Sequence, residues 1–365
     1  MFHPQSVAMN PLLVAKSLGQ RIWLDNLSRE LLAGPLQKLI TEDGLAGVTS
    51  NPAIFQKSIS SGAGYGDDLA RLKTQPLSAE QRFEALAVPD VQRACDQFAA
   101  SYRESGGLDG YVSLEVSPYL ARDGAGTLAA AQRLWAAIDR PNAMIKIPAT
   151  AESLPAFTAA IAAGINVNVT LMFGQQHCDA VFEAYVAGLR QRLASGGSVA
   201  QLRSVASLFL SRVDTLVDAR LDGLGQAGQA LKGKVAVSVV RQAYARWQAR
   251  WHGPECADLR AAGAHIQRLL WASTGTKNPA YPDTLYVDEL IGPDTVNTLP
   301  DATLIAFRDH GKAQPRLLEG HEQAAAVLAQ LAELGVDMDA VSAQLQADGL
   351  KLFDDAFDKL LSLLA

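Results

Sequence analysis

Short apolar segments alternate with longer amphipathic segments along most of the chain. The short segments end at Gly, Pro, Asn or charged residues, which is typical of strands buried on both faces of a parallel sheet. The pattern predicts eight strands, the last of them weak: Arg21–Asp25, Ala46–Ser50, Tyr111–Val116, Ala143–Pro148, Ile165–Leu171, Val205–Ser211, Leu269–Ser273 and Val296–Leu299.

In the longer segments, apolar residues recur at helical spacing. Asn26 is a candidate N-cap for the first helix, and Pro89 is expected to divide the second segment into two helices. The predicted helical segments are Leu27–Ile40, Ser78–Tyr102, Gly126–Ile138, Pro155–Ala163, Gln175–Ala194, Val213–Ala219, Val235–Trp251 and Ala257–Gln267.

Eight strands, each followed by a helix, predict the α/β class and a single closed (β/α)8 TIM-type barrel rather than an open sheet. Such a barrel typically has about 250 residues, whereas this chain has 365. We assign the surplus to a Gly/Ser-containing loop at Gln56–Gln75, an inserted loop at Thr276–Pro300 after strand seven, and a helical tail.

The tail, Leu317–Ala365, has a Leu, Ala and Phe pattern that requires a surface to cover, and we expect breaks at Gly335 and Gly349. We therefore predict a catalytic barrel domain at residues 1–316. Residues 317–365 are predicted to form a C-terminal helical extension that packs on the barrel.

Composition excludes several classes of protein. The chain has 32 basic and 38 acidic residues, and the net charge of −6 argues against nucleic acid or an anionic membrane surface as the main partner. The hydrophobic fraction of 48% excludes a mainly disordered chain. No apolar run is long enough to cross a bilayer.

The cysteines Cys95, Cys178 and Cys256 are widely separated and odd in number. We therefore expect no disulfide framework and a reducing, cytoplasmic location. Residues 1–10 lack the basic and then apolar pattern of a signal peptide, and the sequence leaves open whether Met1 or Met9 is the start.

Three motif-like sequences are expected to carry no chemistry. Residues 223–228 match GxGxxG, but the preceding segment is helical, which favours a turn between helices over a dinucleotide site. His321 begins an HExxH-like sequence, but Ala325 stands where a zinc ligand would be required. His177 and Cys178 are adjacent on a predicted helix, so their side chains point about 100° apart and do not converge.

A TIM-type barrel places reactive groups at the carboxyl ends of its strands and in the loops that follow. Polar residues at these positions are the candidate site residues: Asp25, Asn51, Glu115, Lys146, Asn168, Thr170, Ser207, Arg212, Ser273 and Lys277.

Lys146 is the most informative of these residues, because it alone among the lysines lies inside an apolar strand, MIKIP. Burial disfavours a charged ammonium and so favours the neutral amine that can attack a carbonyl to form a Schiff base. A purely structural ion pair with Asp25 or Glu115 is an equally open interpretation.

Asp25 and Glu115 place two carboxylates near this amine. Two carboxyl groups in different surroundings can divide the work of proton transfer, although structural ion pairing is again open. A Mg²⁺ site is a third alternative, but the positive charge of Lys146 would repel the cation.

Arg212 and Lys277, with Ser207 and Ser273, come from the sixth and seventh strands. Cationic groups and hydroxyl donors suit a phosphate, and the last strands of these barrels often bind one. The alternative is that both cations simply face water, as most Arg and Lys do.

The motifs that contain these residues resemble the strand motifs of the transaldolase family. The order and spacing agree from about Leu12 to the seventh strand, and the combination of TSNP, KIP and NVTL is specific. The matching motifs are IWLDN with Asp25, GVTSNPAIF with Asn51, VSLEVSP with Glu115, MIKIPAT with Lys146, NVNVTLMF with Asn168 and Thr170, and ASLFLSR with Ser207, Phe209 and Arg212.

The resemblance implies a (β/α)8 barrel with an extra C-terminal helical region and no metal or organic cofactor. It implies that Lys146 forms a Schiff base with the C2 carbonyl of a ketose phosphate, and that Asp25 takes the proton of the C4 hydroxyl. The C3–C4 bond then breaks, and the dihydroxyacetone unit that stays on Lys146 passes to an aldose phosphate. Glu115, Thr170 and a water would move protons during Schiff-base formation and release.

The resemblance also implies the pathway and the binding residues. The donors would be sedoheptulose 7-phosphate or fructose 6-phosphate, and the acceptors glyceraldehyde 3-phosphate or erythrose 4-phosphate, in the pentose phosphate pathway. The implied substrate-binding residues are Asn51, Asn168, Ser207, Phe209, Arg212, Ser273 and Lys277, the last three for the phosphate.

The sequence departs from the family after strand seven. Many members have Ser-x-Arg-Asn there, whereas this chain has Ser273 and then Lys277 before the long Thr276–Pro300 loop. Lys keeps the positive charge but loses the bidentate fork of Arg. The loop resembles a longer bacterial branch of the family.

Two alternatives remain at this point. A fructose-6-phosphate aldolase-like enzyme would release free dihydroxyacetone, but such enzymes tend to have Gln at the Glu115 position and Tyr at the Phe209 position. A non-catalytic sugar-phosphate-binding barrel would not need Lys146, Asp25 and Glu115 together. The expected partners are small sugar phosphates, with no nucleic acid and no membrane, and the chain is expected to be a monomer or a homodimer.

Overall fold

Eight parallel strands close into one barrel in the order of the chain, which confirms the predicted TIM-type fold. This computed structural model describes residues 10–365, so Met1 and Met9 lie outside the described residues. The strands are β1 Gln20–Leu24, β2 Gly47–Val48, β3 Tyr111–Glu115, β4 Ala143–Pro148, β5 Val167–Met172, β6 Ser204–Phe209, β7 Arg268–Ala272 and β8 Thr295–Leu299.

Helices surround the barrel and account for most of the remaining chain. They are α1 Pro11–Ser17, α2 Arg29–Leu32, α3 Pro35–Asp43, α4 Pro52–Ser60, α5 Gly66–Lys73, α6 Ala79–Gln97, α7 Ala99–Glu104, α8 Gly124–Ile138, α9 Leu154–Ala162, α10 Gln175–Ala194, α11 Ser211–Leu221, α12 Gly225–Leu231, α13 Val235–His252, α14 Ala257–Ala261, α15 Leu285–Asp288, α16 Asp301–His310, α17 His321–Glu333 and α18 Met338–Leu364.

Strand register brings the chemistry-bearing residues of the barrel side by side. Glu115 of β3 pairs with Lys146 of β4, and Lys146 pairs in turn with Asn168 of β5. Every residue of β3, β4, β5 and β6 is buried, which is why these strands are almost continuously apolar in sequence. The few polar residues in them therefore face the inside of the molecule.

The prediction of one continuous helix at Leu27–Ile40, capped by Asn26, is wrong on both points. Ser28, not Asn26, caps α2, because its Oγ accepts a hydrogen bond of 3.1 Å from the backbone N–H of Leu31. The helical segment divides into α2 and α3 because Gly34 has a φ of 154° and Pro35 restarts the helix at its first position.

Pro89 does not divide the second helical segment as predicted, since it lies inside the continuous helix α6. The break comes later, at Phe98, between α6 and α7. A capping box between Ser78 and Gln81 starts α6, and its buried face packs against β3 and α8. This packing outweighs the one backbone hydrogen bond that Pro89 cannot make.

Two other segments differ from their predictions. The Gln56–Gln75 segment is mainly helical rather than a loop, because Asn51 caps α4 and the apolar residues of α4 and α5 are buried. The segment Ala257–Gln267 is helical only in α14, and a turn at Gly263 with a φ of 81° leads into β7.

The loop after strand seven is shorter than the predicted Thr276–Pro300, since that range includes β8 itself. Two tyrosine–aspartate contacts tie the loop to α11. The Tyr281 hydroxyl donates to Asp218 at 2.6 Å, and the Tyr286 hydroxyl donates to Asp214 at 2.7 Å. The loop is therefore an ordered part of the barrel wall.

The C-terminal helices lie against the barrel helices. Helix α17 packs on α13, and α18 packs on α4, α6, α11 and the end of β5. Between α17 and α18 the chain turns at Gly335, as predicted, but the predicted break at Gly349 is wrong because α18 runs through it.

Candidate active site

One cavity of about 140 Å³ opens at the carboxyl ends of the strands. Its polar wall consists largely of residues that the sequence predicts for the site: Asp25, Asn51, Lys146, Thr170, Ser207, Phe209, Arg212, Ser273 and Lys277. The two other predicted residues, Glu115 and Asn168, are in direct contact with members of this set. The fold therefore brings all of the predicted site residues together.

Lys146 lies at the base of the cavity and is only 5% exposed. Its Nζ is 3.5 Å from Glu115 Oε2 and donates a hydrogen bond of 3.3 Å to the backbone carbonyl of Ser50. The amine is thus fixed by two polar neighbours while still bordering the cavity, as a nucleophile must.

Glu115 is buried beside this amine, and its burial raises the pKa of the carboxyl group to about 7 against the opposing effect of the Lys146 charge. A carboxyl group in that range exchanges protons readily near neutral pH. The geometry suits proton transfer at Lys146 as well as ion pairing.

Asp25 stands after β1 and also has a raised pKa, because burial outweighs the charge of Lys146 and the hydrogen bond from Thr49. Thr49 Oγ1 donates to Asp25 Oδ1 at 2.7 Å and lies 2.7 Å from the Thr298 hydroxyl. Two strand-end hydroxyls thus fix the orientation of the carboxyl group.

Buried amide and hydroxyl groups continue the polar wall. Ser207 Oγ donates to Asn168 Oδ1 at 2.8 Å, and Asn168 Nδ2 donates to Ser113 Oγ at 3.1 Å. The side-chain oxygen of Asn51 accepts the α4 capping bond from Ile54 at 3.0 Å, which leaves its amide N–H groups as donors. Thr170 Oγ1 is buried and has no hydrogen-bond partner among residues 10–365.

Two non-glycine residues with positive φ lie at or next to residues that line the cavity, since Leu171 follows Thr170 and Ser273 lines the cavity itself. Leu171 has a φ of 62° where β5 shifts register against β6, and Ser273 has a φ of 54° directly after β7. Such backbone conformations are costly for residues other than Gly and concentrate at functional sites. The Ser273 hydroxyl lies 2.7 Å from that of Ser211.

Arg212 and Lys277 form the cationic side of the cavity together with Ser273. The Arg212 guanidinium lies 5.4 Å from the Phe209 ring centroid, and its buried Nη1 has no hydrogen-bond partner within residues 10–365. Burial lowers the pKa of Arg212. A half-buried cation with a buried, open donor suits an anionic ligand group. Lys277 is exposed at the rim.

The sequence analysis assigned no role to six residues that line the cavity: Thr49, Ala272, Gly275, Thr298, Pro300 and Phe353. Thr49 and Thr298 occupy strand ends, which is a signal that could have identified them. Phe353 comes from α18, and nothing in the sequence of a helical tail indicates which residue would reach Lys146.

The motif-like sequences have structural roles. His177 Nδ1 accepts a hydrogen bond of 3.2 Å from the backbone N–H of Phe173. Residues 223–224 form the turn before α12, and residues 225–228 are the first turn of that helix. Within residues 10–365, no group of three or more His, Cys, Asp or Glu side chains is arranged to hold a metal ion. None of the helices in this part of the chain is long and apolar enough to cross a membrane.

Comparisons with known proteins agree on one family. The model of the transaldolase/fructose-6-phosphate aldolase family matches residues 22–364. Proteins named transaldolase from Thiobacillus denitrificans and Neisseria gonorrhoeae are each 52% identical to the chain. These matches cover 94% and 95% of the chain and 97% of each relative. The transaldolase of Frankia alni is 46% identical over 98% of the chain and 97% of its own length.

Proposed function

Because the chain belongs to the transaldolase/fructose-6-phosphate aldolase family and is an enzyme of the transaldolase type, we propose that it transfers a dihydroxyacetone unit between sugar phosphates through a Schiff base on Lys146. The donor would be sedoheptulose 7-phosphate or fructose 6-phosphate, and the acceptor glyceraldehyde 3-phosphate or erythrose 4-phosphate. The observation that carries this proposal is the buried Lys146–Glu115 pair at the base of a cavity with cations at its rim.

Schiff-base formation begins when the neutral Lys146 amine attacks C2 of the ketose. Glu115 moves one proton from the attacking nitrogen to the C2 oxygen, which gives the carbinolamine. Protonated again from solvent, Glu115 donates a second proton to this hydroxyl group, which leaves as water and gives the iminium. A carboxyl group with a pKa near 7 that lies 3.5 Å from the nitrogen is suited to both steps. The partnerless hydroxyl of Thr170 is available to orient the water.

Carbon–carbon cleavage then requires a base at the C4 hydroxyl. Asp25, held by Thr49, accepts that proton, and the electrons of the C3–C4 bond pass into the iminium. Its raised pKa makes Asp25 a stronger base than an exposed aspartate. The aldose leaves, a new aldehyde enters, and the same steps run in reverse.

The remaining residues of the site would bind the substrate and hold it in position against Lys146. Asn51, Asn168 and Ser207 would hydrogen-bond its hydroxyl groups, and Phe209 would line the binding site. Arg212, Ser273 and Lys277 would bind the phosphate. The buried, open donor Nη1 of Arg212 supports the phosphate assignment, whereas Lys277 offers a point charge from the rim.

Transfer is favoured here over release of free dihydroxyacetone. Glu115 lies beside Lys146, and Phe209 packs against Arg212. Neither position has the Gln or Tyr that aldolase-like enzymes tend to have there, which supports transfer. We also propose that residues 1–316 are the catalytic domain and residues 317–365 its extension. The proposed location is the cytoplasm, a setting in which the three buried free cysteines stay reduced.

The function is tested by comparing the wild-type protein with Lys146→Met, which keeps an unbranched side chain and removes the nucleophile. Transfer from fructose 6-phosphate to erythrose 4-phosphate should fall to background, because no Schiff base can form. Lys38→Met changes an exposed lysine of α3 and should keep full activity. Full activity in Lys146→Met would refute the mechanism, and rapid wild-type release of dihydroxyacetone without acceptor would favour the aldolase.

A further inference from the structure

The cavity is built from barrel residues except for one side chain, Phe353, which comes from the C-terminal helix α18. We propose that Phe353 is a specificity-determining residue that shields the enzyme-bound three-carbon unit from water and so favours transfer over release. This inference rests on the proposed function and adds to it a residue that controls the fate of the intermediate.

The position of Phe353 places its ring against the reacting centre. Its centroid lies 5.8 Å from Lys146 Nζ, and the side chain is only 5% exposed. When a Schiff base forms, C2 is bonded to this nitrogen, and C3 lies just two bonds from it. A group that borders Nζ therefore also borders the carbon that carries the negative charge after cleavage.

Helix α18 is fastened firmly enough to hold the ring there. Gln346 Nε2 donates to the carbonyl oxygens of Ala149 at 2.9 Å and Leu171 at 3.1 Å, which joins α18 to the ends of β4 and β5. One turn beyond Phe353, the ring of Phe357 makes edge contacts with those of Phe83 and Tyr119. The part of α18 that carries Phe353 is thus packed against the barrel rather than being a loosely attached surface segment.

The bound unit has two competing fates at C3. In transfer, C3 forms a bond to the aldehyde carbon of the acceptor, and Asp25 returns its proton to the new hydroxyl oxygen. In release, C3 takes a proton from water, and the hydroxide left behind is neutralised by the proton that Asp25 gained on cleavage. A second water then adds to C2, and the C2–N bond breaks to free dihydroxyacetone and Lys146. Release thus requires water at C3, whereas transfer requires an aldehyde there.

An apolar ring beside C3 disfavours a water molecule there more than it disfavours an aldehyde. A phenyl ring offers no hydrogen bond to a water molecule, so water held against it loses stabilisation. The acceptor is held in place by its own polar groups and by the phosphate side of the cavity. Phe209 cannot serve in place of Phe353, because it packs between Phe173 at 5.3 Å and Arg212.

The test measures two rates on each purified protein: dihydroxyacetone release from fructose 6-phosphate without acceptor, and transfer to erythrose 4-phosphate. Phe353→Leu keeps an apolar side chain and the fold but opens space beside Lys146. We expect its release-to-transfer ratio to rise about tenfold, which corresponds to about 1.4 kcal/mol. Phe353→Ala should raise the ratio further. If Phe353→Ala does not fold, the ratio measured for Phe353→Leu alone decides the test.

Leu360→Ala is the matched control, because Leu360 is fully buried in the same helix but does not line the cavity. A purely structural role of α18 would lower both rates together and leave their ratio unchanged. An unchanged ratio in Phe353→Leu, or an equal rise in Leu360→Ala, overturns the inference while the proposed function stands. A wild-type protein that cannot transfer at all overturns both.

Discussion

Glu115 shows how one buried carboxyl group serves chemistry at the expense of stability. Its surroundings raise its pKa from about 4.5 in the unfolded chain to about 7. The native state therefore binds more protons than the unfolded state between these two pH values. By linkage, this group makes the free energy of unfolding fall as pH rises from about 4.5 to about 7.

Glu115→Gln should remove this pH dependence, because the amide has nearly the same shape and does not ionise. The free energy of unfolding, measured with urea at pH 5 and at pH 8, should decrease less between these pH values in the variant than in the wild type. Carboxyl groups remote from Glu115, such as Asp214 with a pKa raised to about 6 by burial, contribute equally in both proteins and cancel. Identical pH dependence in the two proteins would contradict the burial account.

Single residues were predictable where a polar group interrupts an apolar strand. Lys146 and Glu115 stand out in sequence for this reason, and the barrel register then places them side by side. Asp25 and Arg212 follow strands and needed only the rule that reactive groups cluster at the carboxyl ends. Phe353 was not predictable, since an aromatic residue in an amphipathic helix normally indicates core packing.

At the scale of elements, the unbroken helix α18 is the main departure from expectation. Gly349 predicts a break, but the helix continues through it and uses the absence of a side chain for close approach. A Cβ atom there would lie 3.0 Å from Leu171 Cδ2 and 3.3 Å from Arg212 Nη1. Sequence gives no sign of this contact, because it joins segments that are distant along the chain.

Gly349→Ala tests this close approach. In a free helix the change would stabilise by about 1 kcal/mol, but here the methyl group presses on Leu171 and on the Arg212 guanidinium. We expect KM for fructose 6-phosphate to rise severalfold with a smaller change in kcat, because the phosphate contact shifts. Ala347→Gly, on the exposed face of α18, should weaken the helix and leave KM unchanged.

An unchanged KM in Gly349→Ala, together with a stability gain of the free-helix size, would show that α18 does not constrain Arg212. Steady-state kinetics and thermal unfolding on the same samples distinguish the two results.

For the whole molecule, sequence periodicity predicted the strand order because every barrel strand is a short buried segment between helices. Local sequence patterns were less informative about where elements begin and end. The second strand, predicted at Ala46–Ser50, has only two residues, and the Gln56–Gln75 segment, predicted as a loop, is mainly helical. The division at residue 316 stays a prediction. The net charge of −6 led us to expect no polyanionic partner, whereas Arg212 and Lys277 both line one cavity.

The central claim, a Schiff base on Lys146, is tested most directly by borohydride reduction in the presence of fructose 6-phosphate, followed by peptide mass mapping. Reduction should trap the three-carbon unit as a stable secondary amine on the peptide that contains Lys146. Absence of any adduct, or an adduct on a different lysine, would contradict the account.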